Sequence, residues 1–396
     1  MSMRPESAVR ARVGSWGALG ALLGFVLGRS LECSSYTLWL LLVLGAAIPM
    51  WLLEWRRLPH ALLMHDRRSA LWGIFTISIL QVAILLLQFL FGGDSGAAVV
   101  LALPFLLVAG SILLLLGLLR PSLLGSTIPD AGNAVRAWFD GGRPNNSQRN
   151  ALLGWCVKCF FLPLMLAWSW TWLASLEYAL PSTGSLRWYA LGMIALYAID
   201  TAFGVIGYVS TSKHLGGEIR SVDSTMLGWL SALACYPPLS ALVLDTWLIA
   251  RNANDWKNWL SEGSPLAVIW AISILLLTSV YTWSTVVFGT RFSNLTHRGI
   301  ITHGPYRWTK HPAYMCKNLS WWLVSVPFIS NGGAAGVLLS CLAMLAVNAI
   351  YWVRARTEER HLLMDADYRR YAEWIDDNGI VSILRRCGLK MIRSQS

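Results

Sequence analysis

Charged residues are scarce in this sequence. Only 13% of its 396 residues are Asp, Glu, Lys or Arg, whereas soluble domains carry roughly a quarter. Hydrophobic residues make up 55%, and 22 residues are tryptophan, which concentrates at membrane–water interfaces. This composition excludes an ordinary soluble domain and indicates an integral membrane protein.

Cysteines in a pairing pattern are also missing. The seven cysteines are dispersed along the chain and predict no disulfide framework. Cys156 and Cys159 form a C-x-x-C pattern, but they lie in an apolar segment and have no second pair. We interpret them as small buried side chains and expect no metal site. The sequence has neither an internal repeat nor a low-complexity tract.

Long apolar runs dominate instead. About ten runs approach the roughly 20 residues that a helix needs to cross a bilayer; they lie near 15–31, 37–54, 70–92, 97–118, 151–176, 188–209, 225–250, 265–288, 317–330 and 334–353. The ninth is too short to cross alone, so we expect the last two to form a hairpin around 331–333. The fold class is therefore all-α, a polytopic transmembrane helix bundle of about 8–10 membrane segments with a C-terminal helical hairpin and a cytoplasmic tail.

Net positive charge is concentrated in alternate loops. Cations occur in the loops after the second, fourth and sixth runs, namely Arg56, Arg57, Arg67, Arg68, Arg120, Arg136, Arg143, Arg149, Lys213 and Arg220. The loops 93–96, 177–187 and 251–264 are nearly neutral. By the positive-inside rule, both termini are cytoplasmic, at the plasma or inner membrane if the protein is bacterial. The net charge of +11 then favours membrane lipids as partners and not nucleic acid.

The chain divides into two unequal regions. Residues 1–264 form an N-terminal transmembrane bundle with few polar residues inside its segments, and residues 265–396 hold nearly all the concentrated polar chemistry. In the tail, Tyr368, Tyr371 and Trp374 share one helix face, which we interpret as packing.

The segment 303–314 is polar and rigid, although apolar runs flank it. Gly304-Pro305 predicts a turn, and Pro312 suits the first turn of the next helix. The free N–H groups at that helix start favour an anionic group. The segment also supplies His311, Tyr314 and two cations, Arg307 and Lys310.

A second polar cluster follows about forty residues later. Glu358 and Glu359 are acceptors for an ammonium or for ribose hydroxyls, and Arg356 is suited to a carboxylate. If the hairpin brings its ends together, these groups meet His311 at the cytoplasmic surface. S-adenosylmethionine carries the carboxylate, ammonium, ribose and aromatic base that such a site would satisfy.

These motifs resemble those of the isoprenylcysteine carboxyl methyltransferase family and its phospholipid N-methyltransferase relatives. The family pattern is roughly G-P-Y-R-x-x-R-H-P-x-Y, a hairpin, then R-x-x-x-E-E and a terminal Y-x-x-Y. The resemblance covers about residues 280–375 and differs at Lys310, where arginine is usual, and at Met315-Cys316-Lys317, where a small residue is usual after the tyrosine.

The resemblance implies an S-adenosylmethionine-dependent membrane methyltransferase. It implies a cofactor-binding role for Gly304, Pro305, Tyr306, Arg307, His311, Pro312, Tyr314, Glu358 and Glu359. The chemistry described above adds Arg356 to this set. The acceptor would be a lipid or another amphiphile that enters between helices. A protonated amine acceptor requires a base, for which Glu359 and His311 are the candidates; a carboxylate or thiolate requires none.

Two polar features inside apolar runs are candidates for a substrate cavity. Asp200 lies in mid-span, where a carboxylate is costly and is by default functional; helix pairing is the alternative. Tyr236 precedes Pro237-Pro238, which predicts either a structural kink or an unwound, cavity-lining turn. We expect His297 and Arg298 to contact lipid headgroups.

Two other functions remain open at this point. An NADPH-dependent membrane enzyme of the sterol reductase type would also use a polar C-terminal site. A lipid transporter or scaffold would use Asp200 and the proline break as a midplane site, although the missing repeat counts against it. The acceptor and the oligomeric state are not predicted.

Overall fold

The computed structural model describes residues 4–56, 66–181, 183–241, 255–329 and 332–386. Over these ranges the chain is helical apart from loops and one pair of two-residue strands. The helices are α1 (Ala11–Ser30), α2 (Ser35–Glu54), α3 (Arg67–Phe91), α4 (Gly93–Ala97), α5 (Leu103–Leu119), α6 (Thr127–Phe139), α7 (Asn146–Ala179), α8 (Arg187–Val209), α9 (Met226–Leu233), α10 (Trp256–Trp259), α11 (Pro265–Val286), α12 (Pro312–Ser325), α13 (Gly333–Leu362) and α14 (Ala366–Asn378).

Eight membrane spans can be assigned within the described residues. They are α1, α2, α3, the nearly continuous helix Gly93–Leu119, α7, α8, α11 and α13. This confirms the predicted all-α polytopic bundle. The two most hydropathic spans, α3 and Gly93–Leu119, are also the least buried, with 17% and 11% of their apolar windows inside the protein. Such surfaces are suited to contact with lipid tails.

Two of the ten predicted segments form shorter helices. In the segment 225–250, α9 ends at Leu233 and a turn follows before a cis Pro237–Pro238 peptide; the stretch from 242 onwards lies outside the described residues. The predicted ninth segment is α12, whose 14 residues extend about 21 Å, too little to cross the hydrocarbon core. Residues 330 and 331 of the predicted hairpin turn also lie outside the described ranges.

Close helix packing positions the core. A Cβ atom on Gly20 of α1 would lie only 2.0 Å from the carbonyl oxygen of Gly45 on α2, so these backbones touch, as is common between membrane helices. Spans α7 and α8 are the most enclosed, with 61% and 56% of their windows buried. Phe161, Leu164, Phe203 and Ile206 of these two helices are fully buried.

The helix ends gather at two ends of the bundle. At one end, which we call the arginine-rich end, Ala8 N–H donates to Ile300 O (2.8 Å) and Arg56 N–H donates to His214 O (2.7 Å). Strand β1 (Ser221–Val222) pairs there with β2 (Thr296–His297) in antiparallel register. At the other end, Glu262 accepts hydrogen bonds from Ser185 and the Leu186 backbone. The ends of α8, α11 and α13 thereby meet at the arginine-rich end.

Candidate active site

Arg298 holds the segment between α11 and α12 in place. Its guanidinium donates to five backbone carbonyls at 2.7–3.1 Å, those of Gly207, Ser210, Gly217, Thr290 and Phe292. Arg298 is 2% exposed and His297 is 5% exposed. The expectation that these two residues contact lipid headgroups is therefore wrong: both are enclosed by the segments that they connect.

The motif segment 303–314 begins with a conformation that requires glycine. Gly304 has φ +60°, and a Cβ atom there would lie 2.6 Å from Val287 Cγ1. A 3-10 turn follows over Gly304–Arg307, with Pro305 buried. Pro312 then opens α12, which confirms the predicted helix start. The segment thus passes close to the end of α11 and directs α12 into the membrane.

The two polar clusters meet across the hairpin. His311 Nε2 lies 2.9 Å from Glu359 Oε1, and the Tyr314 hydroxyl donates to Glu358 Oε2 at 2.7 Å. The His311 and Tyr314 rings stack with centroids 5.4 Å apart and planes 5° apart. Adjacent glutamates of α13 therefore each hold one side chain of the motif segment.

A cavity opens beside these contacts. Its volume is about 80 Å³, and a smaller one of about 50 Å³ adjoins it. Both are lined by Ser293, Asn294, Tyr314, Arg354 and Glu358. The larger is also lined by Tyr236, Tyr281, Thr285, Phe288, Phe292, Tyr306, Lys310, His311, Ala313, Lys317 and Tyr351. Aromatic faces and charged groups therefore converge on one space near the arginine-rich end.

Arg354 is the principal cavity residue that the sequence analysis missed. Its guanidinium donates to Asn294 Oδ1 at 2.7 Å and lies 5.1 Å from the Tyr314 ring centroid, with the residue only 6% exposed. Arg354 and Glu358 lie four residues apart and so share a helix face. That spacing was the signal available in the sequence.

Of the predicted cofactor residues, four line the cavity, namely Tyr306, His311, Tyr314 and Glu358. The other six do not, namely Gly304, Pro305, Arg307, Pro312, Arg356 and Glu359. Arg307 is exposed, and its guanidinium lies 5.0 Å from the Trp308 ring centroid. Arg356 is also exposed and reaches Glu359 Oε2 at 3.6 Å. Both fall on outward-facing positions of their elements.

Asp200 stands behind the cavity wall. It accepts hydrogen bonds from the Tyr281 hydroxyl (2.8 Å) and the Thr285 hydroxyl (2.5 Å), both of which line the cavity. A residue of the N-terminal bundle is thus joined to α11. Tyr236 lines the cavity directly, and its hydroxyl accepts from Asn294 Nδ2 at 3.4 Å.

The C-terminal tail packs over the motif segment. Tyr368 and Tyr371 of α14 are 4% and 2% exposed and pack with Ile300, as the aromatic stripe predicted. The Tyr371 hydroxyl donates to Tyr306 O at 2.7 Å, and Lys310 Nζ lies 2.8 Å from Asp376 Oδ1. The tail helix therefore fixes the backbone beside the cavity.

Burial sets the protonation of groups in the motif segment. The pKa of Tyr306 is raised well above its usual value by burial, with Glu358 adding to the effect, so its phenol stays protonated. The pKa of His303 is lowered by burial and by Arg4, which favours the neutral imidazole. His303 Nδ1 lies 2.9 Å from Ser7 Oγ.

The fold and this site define a membrane protein with a charged, aromatic-lined cavity, most of whose lining residues lie between 281 and 362. The sequence model of the isoprenylcysteine carboxyl methyltransferase family matches residues 266–364. This match confirms the resemblance for the C-terminal core; residues before 266 lie outside it. The match indicates a membrane methyltransferase and favours neither the reductase nor the transporter or scaffold. No curated protein and no solved structure matches the chain significantly.

Proposed function

We propose that the protein is an S-adenosylmethionine-dependent methyltransferase that acts on a lipid or amphiphilic acceptor. The observation that carries the proposal is the meeting of the two motif clusters, His311 with Glu359 and Tyr314 with Glu358, beside one cavity. The family match supports a methyltransferase independently of this geometry.

The residues at the cavity suit the chemical groups of this cofactor. Glu358 is an acceptor for an ammonium or for ribose hydroxyls, and Arg354 is a donor for a carboxylate. The tyrosine faces suit a sulfonium or an aromatic base. Because the two cavities are small, a ligand of this size fills both only when the side chains between them, Tyr314, Arg354 and Glu358, move.

The chain's own residues contribute binding, orientation and exclusion of water. Bound S-adenosylmethionine would supply the methyl group. Tyr306, Phe288 and Phe292 on the cavity wall keep water out, and the held His311 and Glu358 fix the positions of polar groups. For an amine acceptor, His311, oriented by Glu359, would take the proton.

The acceptor would enter from the bilayer. Since the arginine-rich end carries the cations, we place it, with both termini, in the cytoplasm. The N-terminal bundle, residues 1–264, would form the route for the acceptor, with Tyr236 in the cavity wall and Asp200 fixing the hydroxyls of Tyr281 and Thr285. The core 265–396 would hold the cofactor.

Calorimetry on the purified protein in detergent tests the proposal. S-adenosylhomocysteine should bind saturably, and Glu358→Gln should weaken binding about tenfold or more because a charged hydrogen-bond acceptor is lost. Glu373→Gln, an exposed glutamate on α14, is the matched control and should change nothing. The absence of saturable binding by the wild-type protein would contradict the proposal.

A further inference from the structure

Lys317 lies on the side of the cavity that is farther from the arginine-rich end. It belongs to α12, which starts at Pro312 and ends beside the start of α11, where Trp270 donates to Leu323 O, so Lys317 lies farther along the bundle than His311 and Tyr314. Its Nζ lies 5.1 Å from the Trp321 ring centroid, 5.5 Å from Tyr281 and 5.7 Å from Tyr351. Among the described residues, the Lys317 ammonium has no hydrogen-bond or ion-pair partner. An unpaired ammonium in such surroundings is costly.

A second cation is close by. Arg354 lies 5.9 Å from the centroid of the same Tyr351 ring. Of the five N–H donors of a guanidinium, hydrogen bonds within the described residues use only the one to Asn294. Two cations with unused donors therefore line one cavity.

Asp200 does not occupy these donors. Its two carboxylate oxygens accept hydrogen bonds from the hydroxyls of Tyr281 and Thr285. Each hydroxyl donates its single proton to Asp200 and can therefore only accept a hydrogen bond from any other group. Asp200 therefore does not hydrogen-bond the Lys317 ammonium, which stays open to a ligand in the cavity.

We propose that Lys317 binds an anionic group of the acceptor, a carboxylate or a phosphate carried by an amphiphile. The inference rests on the proposed function, in which Glu358 and Arg354 bind the polar groups of the cofactor. An amphiphile whose tail stays in the bilayer brings its headgroup to the side farther from the arginine-rich end, where Lys317 is. Lys317 is then a specificity-determining residue that favours anionic over neutral acceptors.

Binding measured without cofactor tests the proposal. The full chain in neutral phosphatidylcholine nanodiscs is titrated with dodecanoate, dodecyl phosphate and dodecanol. The wild type should bind at least one anionic probe about tenfold or more tightly than dodecanol, and Lys317→Met should remove this preference. The tighter of the two anionic probes identifies the headgroup chemistry.

Lys158→Met is the matched control, because Lys158 is also within a span, 4.2 Å from the Trp155 ring centroid, and does not line the cavity. It should keep the anionic preference. Lys317→Arg should keep it as well, since the positive charge remains, and this variant shows whether a change at position 317 by itself disrupts folding. The proposal is wrong if the wild type shows no preference, if Lys317→Met retains it, or if Lys158→Met loses it equally.

The cofactor is measured separately, with S-adenosylhomocysteine. If Lys317→Met weakens only that binding and keeps the preference for anionic amphiphiles, Lys317 serves the cofactor and the proposal is overturned. If the wild type binds no S-adenosylhomocysteine but prefers anionic amphiphiles through Lys317, the anion site stands and the methyltransferase proposal fails.

Discussion

A single side chain with many backbone partners can hold several segments together beside the cavity. Arg298 illustrates this at the residue scale, since it joins the end of α8 to the segment after α11 through five carbonyls. From the sequence, Arg298 was expected to lie at the membrane surface and to contact lipid headgroups. Nothing in the pattern of residues 296–300 indicates a cluster of carbonyls from distant segments, so this role required the structure.

Replacing Arg298 should be costly. Arg298→Met leaves buried carbonyls without donors, and we expect the free energy of unfolding to fall by about 3 kcal/mol or more. Thermal unfolding in detergent measures the loss. Arg143→Met removes an exposed arginine and should have little effect; equal destabilisation by the two variants would refute the assignment.

Buried histidines make the stability of the arginine-rich end depend on pH. Burial lowers the pKa of His303, with Arg4 adding to the effect. Burial also lowers the pKa of His297, against an opposing effect of Asp365. The unfolded chain takes up these protons near pH 6.5, whereas the folded chain takes them up only at lower pH. Their contribution is therefore complete above about pH 6.5 and is lost as the pH falls.

The midpoint of thermal unfolding should accordingly drop on acidification below about pH 6.5. A protein with both His297→Gln and His303→Gln should show a shallower dependence. His214→Gln, at an exposed position, should keep the wild-type slope, and a slope that is the same in all three proteins would exclude this explanation.

Helix ends and helix faces position the site at the element scale. The sequence predicted the start of α12 at Pro312 correctly because a proline at a helix start has a local cause. It did not predict which arginine of α13 enters the cavity. Arg356 stands in the motif, but Arg354 shares its face with Tyr351 and Glu358, and the neighbouring helices decide which face is enclosed. Which face of α13 points into the cavity becomes evident only from its packing against the neighbouring helices.

The tail helix α14 should respond to loss of one hydroxyl. Tyr371→Phe removes the donor to Tyr306 O, so we expect the docking of α14 to weaken by about 1 kcal/mol. Hydrogen exchange over residues 366–378 should then become faster. Tyr178→Phe, at a side chain that is 83% exposed, is the control; unchanged exchange in Tyr371→Phe would contradict the docking role.

Composition and hydropathy determine much of the fold at the scale of the whole molecule. Hydropathy alone located all eight spans of the described residues, because each is a long apolar segment. The contacts between distant spans, such as Asp200 with Tyr281 and Thr285, could not be predicted in the same way. They depend on which helices become neighbours, and the apolar sequences of the spans do not specify which helices pack together.

The orientation of the bundle can be tested by labelling. In a variant without the seven cysteines, Asp140→Cys lies at the arginine-rich end and Ser261→Cys at the opposite end, both exposed. On sealed right-side-out vesicles, an impermeant maleimide should label Ser261→Cys and reach Asp140→Cys only after the membrane is opened. The reverse pattern would place the proposed cofactor site outside the cell.

The link between residues 5–8 and residues 300–303, where the motif segment begins, has a consequence for the order of assembly. Pro5 O accepts from the Thr302 hydroxyl, 297 positions later in the chain, and Ala8 pairs with Ile300. During synthesis these early residues emerge long before their partners exist, so they must remain undocked while most of the spans insert. The motif segment therefore reaches its final surroundings only when a stretch of chain made nearly 300 residues earlier docks against it, which makes the site a late region of the protein to mature.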